Sequence, residues 1–164
     1  MMESTMFKVR WMIRRDMKEV LEIENLSFEM PWTEEEFIRC LRRRTCIGMV
    51  AEVEERVVGY MVYDLHKTSL ELLTIAVDPD FRRSGIGAGM LDKLKAKLSL
   101  NRRTRIACEV SEENIDAHLW LRSCGFRATG VVRNAYETCD ADAYKFVFRH
   151  SDLVPVNRSG EGCQ

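Results

Sequence analysis

The chain has 164 residues, 46% of them hydrophobic, which is enough apolar material for one domain with a core of its own. Its 25 basic side chains balance 26 acidic ones, so no long-range field draws it to nucleic acid or to a membrane surface. No run approaches the roughly 20 apolar residues of a membrane span, and the start Met1-Met2-Glu3-Ser4-Thr5 lacks a basic-then-apolar signal; a cytoplasmic location is expected.

Along the chain, Phe7, Val9, Trp11 and Ile13 alternate with Lys8, Arg10 and Met12, the period of a half-buried strand. Asp16 is placed to cap a helix carrying Met17, Val20, Leu21 and Ile23, which Met30-Pro31-Trp32 interrupts because proline disfavours helical geometry in the residue before it. Thr33-Glu34-Glu35-Glu36 has the pattern of a capping box, so a second short helix begins there with Phe37 and Leu41 toward the core. Residues 47–53 and 57–63 read as a hairpin about the charged turn Glu54-Glu55-Arg56. Residues 70–77 are more continuously apolar, as in a central strand, and Pro79 ends them.

Met90, Leu91, Leu94 and Leu98 lie at helical spacing within residues 87–100. A strand at 106–110 precedes a helix at 114–124 that stops at Gly125, and Val131 and residues 144–148 supply the last strands. The order predicts a mixed α/β sheet with helices on both faces, in a single domain over residues 6–150. The tail, residues 151–164, is aperiodic and rich in turn formers; it is expected to be disordered.

Cys40, Cys46, Cys108, Cys124, Cys139 and Cys163 show neither a CxxC nor a metal-ligand spacing, and His66, His118 and His150 are scattered among them. Free thiols in apolar surroundings, and no metal, are expected. Arg42-Arg43-Arg44 and Arg102-Arg103 with Arg105 read as solvated faces, with a cofactor phosphate or an acidic partner as the sharper alternative. Glu24, Glu29, Glu34, Glu35 and Glu36 also read as solvated, with attraction of a basic peptide as the weaker idea.

The most informative segment is Asp80-Phe81-Arg82-Arg83-Ser84-Gly85-Ile86-Gly87-Ala88-Gly89, because it joins a buried strand to an amphipathic helix. Its glycines let backbone N–H groups converge at a helix N-terminus, where the dipole favours phosphate, and its arginines add charge. It lacks the Gly-Lys-Ser/Thr of a P-loop, and Met90 stands where a dinucleotide fingerprint needs a small residue.

Arg82-Arg83-Ser84-Gly85-Ile86-Gly87 resembles the R/Q-x-x-G-x-G/A pyrophosphate loop of GNAT acetyltransferases, and it follows a strand ending Ile75-Ala76-Val77-Asp78-Pro79 as in that family. Met30-Pro31-Trp32, Cys108-Glu109-Val110, Asn114 with Ala117, and Gly125-Phe126 are similar in identity and order to the ribosomal-protein alanine N-acetyltransferases of that family, over roughly residues 7–150. The resemblance implies the acyl-CoA N-acyltransferase fold: about seven strands, about four helices, and a splay between strands 4 and 5 that admits the pantetheine arm of acetyl-CoA. It implies cofactor contacts from Ile75, Ala76, Val77, Arg82, Arg83, Ser84, Gly85, Ile86, Gly87, Ala88 and Asn114, and no metal. Glu109 matches the family's general base, which an ammonium needs before its nitrogen can attack a thioester.

One position departs from the family. The tyrosine expected seven residues after Asn114, placed to protonate the leaving thiolate, is Leu121 here, and Trp120 replaces an aliphatic neighbour. Tyr136, matching a tyrosine of the family's penultimate loop, is the candidate replacement; the other readings are that the thiolate leaves unaided, and that Tyr136 merely packs. The expected activity is transfer of acetyl to the α-amino group of a protein N-terminus, a ribosomal protein's N-terminal alanine first among candidates. A small-molecule amine or lysine acceptor stays open, as does a non-catalytic acyl-CoA-binding protein.

Overall fold

The structure, a computed structural model, describes residues 6–135 and 141–153. Among these, the order of strands and helices is the one the sequence predicts. Strand β1 (Lys8–Trp11) leads through a 3-10 turn (Arg14–Asp16) into helices α1 (Met17–Ser27) and α2 (Glu34–Leu41), then strands β2 (Cys46–Val53), β3 (Arg56–Leu65) and β4 (Ser69–Val77). A 3-10 turn (Pro79–Phe81) precedes helix α3 (Ile86–Lys95); strand β5 (Arg105–Ser111), helix α4 (Ile115–Ser123) and strands β6 (Arg127–Val132) and β7 (Ala143–Arg149) complete the fold.

Local chemistry accounts for several boundaries. Thr33 accepts from the Glu36 N–H at 3.2 Å while the Glu36 carboxylate accepts from the Thr33 N–H at 2.9 Å, the reciprocal capping box that starts α2. Glu54 and Glu55 both take left-handed φ, 49° and 68°, which gives the β2–β3 turn the twist that a two-residue hairpin needs. Gly125, at φ 93°, ends α4 in the left-handed geometry that glycine adopts without steric cost.

The strands form one seven-stranded sheet in the order β1-β2-β3-β4-β5-β7-β6. The pairs β1·β2, β2·β3, β5·β7 and β6·β7 are antiparallel, with a register shift at Ala51/Glu52 in β2 and another at Ala128/Gly130 in β6. β4 and β5 are parallel, and their ladder covers Ser69↔Arg105, Leu70↔Ile106 and Glu71↔Ala107 only. Both strands continue past it, to Val77 and Ser111.

Contacts gather the described residues into two compact units, the first drawn from residues 6–65 and 72–94 and the second from 66–71, 95–135 and 141–153. The core of the first is built on Val20, Ile23, Phe37, Val50, Tyr60 and Val62, with Phe37 packed between Trp32 (ring centroids 4.9 Å) and Tyr60 (5.9 Å). In the second, Ile106, Cys108, Leu121, Phe146 and Phe148 are buried. There the Lys95 ammonium lies 4.3 Å from the Phe148 ring centre and donates to the Cys124 carbonyl at 2.6 Å, a cation at the C-terminus of α4. No helix among the described residues is long and apolar enough to cross a membrane.

Four expectations are corrected. Asp16 stands before α1 but its side chain does not cap it: the carboxylate accepts from the Ile13 N–H at 2.8 Å and pairs with Arg10 at 2.8 and 2.9 Å. α3 ends at Lys95, and Leu98 is buried in the turn beyond it. The first tail residues are ordered, since His150–Leu153 form a 3-10 turn in which Asp152 accepts from the Arg149 N–H at 2.9 Å and pairs with Arg127 at 2.6 Å; residues 154–164 lie outside the described chain. Glu24 is not solvated but 2% exposed, inside the first core.

Candidate active site

In the first unit, β4 runs directly into the glycine-rich loop. Ile75, Ala76 and Val77 end the strand half-buried, and Asp78 turns the chain by accepting from the Asp80 N–H at 2.9 Å. Asp78 is itself held by Arg56 at 3.1 Å, and the Arg56 guanidinium lies 5.2 Å from the Phe81 ring centre, so strand β3 braces the turn. Arg82 donates to the Val77 carbonyl at 3.0 Å and to the Ser27 hydroxyl at 3.1 Å, which binds the loop to the end of β4 and to the last residue of α1. The Ser84 hydroxyl donates to the Phe81 carbonyl and closes the turn.

Two loop residues take left-handed φ, Arg83 at 62° and Gly85 at 88°, and they aim the chain into α3. A Cβ built on Gly85 meets nothing within 4 Å, so this side of the backbone is open to a ligand. The first intrahelical bond, Gly89 N–H to the Gly85 carbonyl at 2.9 Å, leaves the N–H groups of Ile86, Gly87 and Ala88 without an intrahelical acceptor. Three N–H groups at a positive helix end, beside an exposed Arg83, are the donor set that a pyrophosphate takes. The predicted Arg82–Ala88 stretch is thus one structure, with Arg82 committed to shaping it.

Glu24 is the residue that sequence reasoning missed in this unit. Its carboxylate accepts from the Trp32 N–H at 2.9 Å, from the Tyr60 hydroxyl, and from the Thr74 hydroxyl at 3.4 Å, joining α1, the segment before α2, β3 and β4 at the residue preceding Ile75. Burial pushes its pKa above the usual carboxylate value against the lowering effect of these donors. The signal was its spacing: Met17, Val20 and Glu24 share a helical face, and the charge alone argued for solvent.

In the second unit, Glu109 is exposed on β5 opposite Lys145 of β7, while its neighbours Cys108 and Val110 turn to the other face, opposite Phe146 and Tyr144. Burial pushes the Cys108 thiol up to about 12, as expected of an inert core cysteine. Asn114 is the N-cap of α4: its Oδ1 accepts from the Ala117 N–H at 3.2 Å, which leaves its amide NH2 to donate. Leu121, two turns on, is 3% exposed and has no proton to give. His118 lies between them; its Nε2 donates to the Ser111 carbonyl at 3.0 Å, and its ring packs edge-on against Tyr144 and Phe146, both at 5.1 Å, seating α4 on β7. Tyr136 lies outside the described residues.

The basic clusters are partly structural. Arg43 pairs with Asp64 at 2.8 Å and Arg103 donates to the His66 carbonyl at 2.7 Å, so neither is a purely solvated charge.

The comparisons bear on the fold and the family. The ribosomal protein bS18-alanine N-acetyltransferase of Salmonella typhimurium is 28% identical over 123 residues, 75% of this chain and 82% of that protein. The crystal structure of the ribosomal-protein-S18-alanine N-acetyltransferase from Escherichia coli superposes with a TM-score of 0.76 at 23% identity, covering 88% of this chain and 94% of that one. Arabidopsis thaliana NAA60 in complex with acetyl-CoA superposes with a TM-score of 0.74 at 15% identity, over 88% and 99% of the two chains. The model of the acetyltransferase (GNAT) family matches residues 17–126, and the chain belongs to that family of N-acetyltransferases.

Proposed function

We propose that this N-acetyltransferase moves the acetyl group of acetyl-CoA to the α-amino group of a protein N-terminus, with a ribosomal protein's N-terminal alanine as the first acceptor to test, in the cytoplasm. The observation that carries the cofactor assignment is the loop of residues 82–88, whose open Gly85 and unpaired first-turn N–H groups of α3 suit a pyrophosphate. The relatives named for ribosomal protein bS18 support the acceptor class.

In this reading the N–H groups of Ile86, Gly87 and Ala88 and the Arg83 guanidinium hold the pyrophosphate, the backbone of Ile75–Val77 pairs with pantetheine, and the Asn114 amide donates to the same arm. Glu109 takes a proton from the incoming ammonium, directly or through water, and frees the nitrogen lone pair. The C–N bond forms as the C–S bond breaks, so the products are an acetylated amine, coenzyme A and one proton. A thiol is only moderately basic near neutral pH, so the missing acid at Leu121 slows departure more than it forbids it; Tyr136 is assigned as the replacement donor.

Burial of Leu121 where the family has tyrosine favours a second reading, an acyl-CoA-binding protein without turnover. Thiol release from acetyl-CoA, followed with a panel of N-terminal peptides and with small amines, separates the readings. Peptide turnover supports the proposal, small-amine turnover alone moves the acceptor class, and binding by calorimetry without turnover establishes the second reading. Mass spectrometry of ribosomal-protein N-termini with and without the gene then identifies the substrate.

A further inference from the structure

The six cysteines predict no pairing by spacing, yet the fold brings two of them together. Cys40 ends the buried face of α2 and Cys46 opens β2, and both are inside the first core, 8% and 6% exposed. Their sulfurs are 2.7 Å apart, against about 2.05 Å in a disulfide. The backbone sets this approach: the Arg43 N–H donates to the Cys40 carbonyl and the Cys46 N–H to the Arg43 carbonyl, both at 3.1 Å. The turn between them is held from outside by Arg43, which pairs with Asp64 at 2.8 Å and reaches the Cys40 sulfur at 3.8 Å. Two thiols in van der Waals packing need no such approach. Hydrophobic burial explains why each is inside, but not why their sulfurs face one another.

We propose that Cys40 and Cys46 are a modification site, an intramolecular disulfide that forms against a low-molecular-weight disulfide such as oxidised glutathione. The Cys40 thiolate attacks one glutathione sulfur, releasing one glutathione and leaving a mixed disulfide. Cys46 loses its proton and attacks the Cys40 sulfur, the S–S bond forms, and the second glutathione leaves; two protein thiols are oxidised and one oxidised glutathione becomes two reduced ones. Burial and the neighbouring Cys40 push the Cys46 thiol up to about 12, and the second of these causes disappears once Cys40 is in the mixed disulfide. The bond ties the end of α2 to the start of β2 across a turn that is already shaped. This site does not depend on the acetyl-transfer reading.

The test measures the bond in the folded and the unfolded chain. The full-length protein is refolded into buffers of fixed reduced-to-oxidised glutathione ratio, so that both sulfurs are accessible on the way, and a parallel sample is held in denaturing urea. Both are quenched with acid, alkylated and digested with trypsin. Cleavage after Arg39 and at Arg42, Arg43 and Arg44 separates the two cysteines, so the bond appears as a cross-linked pair of peptides. The folded chain is expected to hold the Cys40–Cys46 bond at least about tenfold more strongly than the unfolded chain, a potential about 30 mV lower. Cys40→Ser should abolish the cross-link on Cys46. A bond no stronger in the folded chain than in urea, or preferential pairing of either cysteine with another, overturns the proposal.

Discussion

Deleting one oxygen tests the buried carboxylate at the centre of the first unit. Tyr60→Phe removes the hydroxyl that donates to Glu24 and leaves the ring against Phe37. A hydrogen bond to a charged group contributes about 1.5–3 kcal/mol, so the variant should lose that much, and its Tm should fall by about 2–4 °C for each kcal/mol in a chain of this size. The double-mutant cycle is more specific: in a Glu24→Leu background the hydroxyl has lost its carboxylate and keeps only the neutral Thr74 hydroxyl as partner, so Tyr60→Phe should then cost much less than in the wild type. The coupling is read from urea unfolding midpoints at constant slope and should be at least ~1.5 kcal/mol. Additive effects, with Tyr60→Phe alone costing less than about 0.5 kcal/mol, would refute the claim that Glu24 organises the three elements around it. The same residue fixes a pH signature. Because burial raises its folded pKa above the usual 4.5, its contribution is fully present below that value and is lost as pH rises through the folded one. Glu24→Gln removes the titration, so the variant should gain on the wild type as pH rises from acid toward neutral.

Thr33→Ala breaks the capping box of α2 and should cost about 1 kcal/mol in urea unfolding. Burial opposes ionisation of Asp16, but the Arg10 pair and the Ile13 N–H outweigh it and hold its pKa below 3.8; its contribution is present above 3.8 and lost as pH falls through the folded value, so Asp16→Asn should be less stable at neutral pH and show a shallower acid limb. Gly85→Val has room for its side chain but not for its backbone, so it should fold with a loss of about 1–2 kcal/mol and bind acetyl-CoA more weakly by calorimetry. Glu109→Gln should lower the single-turnover rate by about 10²-fold with acetyl-CoA affinity unchanged, and an unchanged rate would make Glu109 structural.

What could be read from the sequence was whatever local chemistry dictates. The Thr33–Glu36 box, the Glu54–Glu55 turn and the Arg82–Gly87 loop each carry their instructions within a few residues, and the structure forms all three. Properties set by distant partners were not readable. Glu24 looked solvated because its acceptor role depends on Trp32, Tyr60 and Thr74, 8, 36 and 50 residues away. Asp16 looked like a cap, but Arg10 and Ile13 compete for the same oxygens. The Cys40–Cys46 approach needs the turn between helix and strand, which no residue spacing announces. Leu121 was legible as a departure from the family, and its burial explains why a leucine is at home there; Tyr136, the proposed compensation, lies outside the described residues.

The two outermost strands have a consequence for how the protein behaves at high concentration. β1 and β6 stand at the ends of the sheet, with no strand beyond either among the described residues. β1 is only four residues long and carries Lys8 and Arg10, so an incoming chain finds a short, charged template. β6 starts at Arg127 and shifts register between Ala128 and Gly130, which bends its backbone away from the flat row that another strand would need. Both margins are poor templates for stacking of molecules edge to edge, so the chain should stay dispersed in crowded solution, and straightening β6 by removing the extra residue of its bulge should raise its tendency to aggregate.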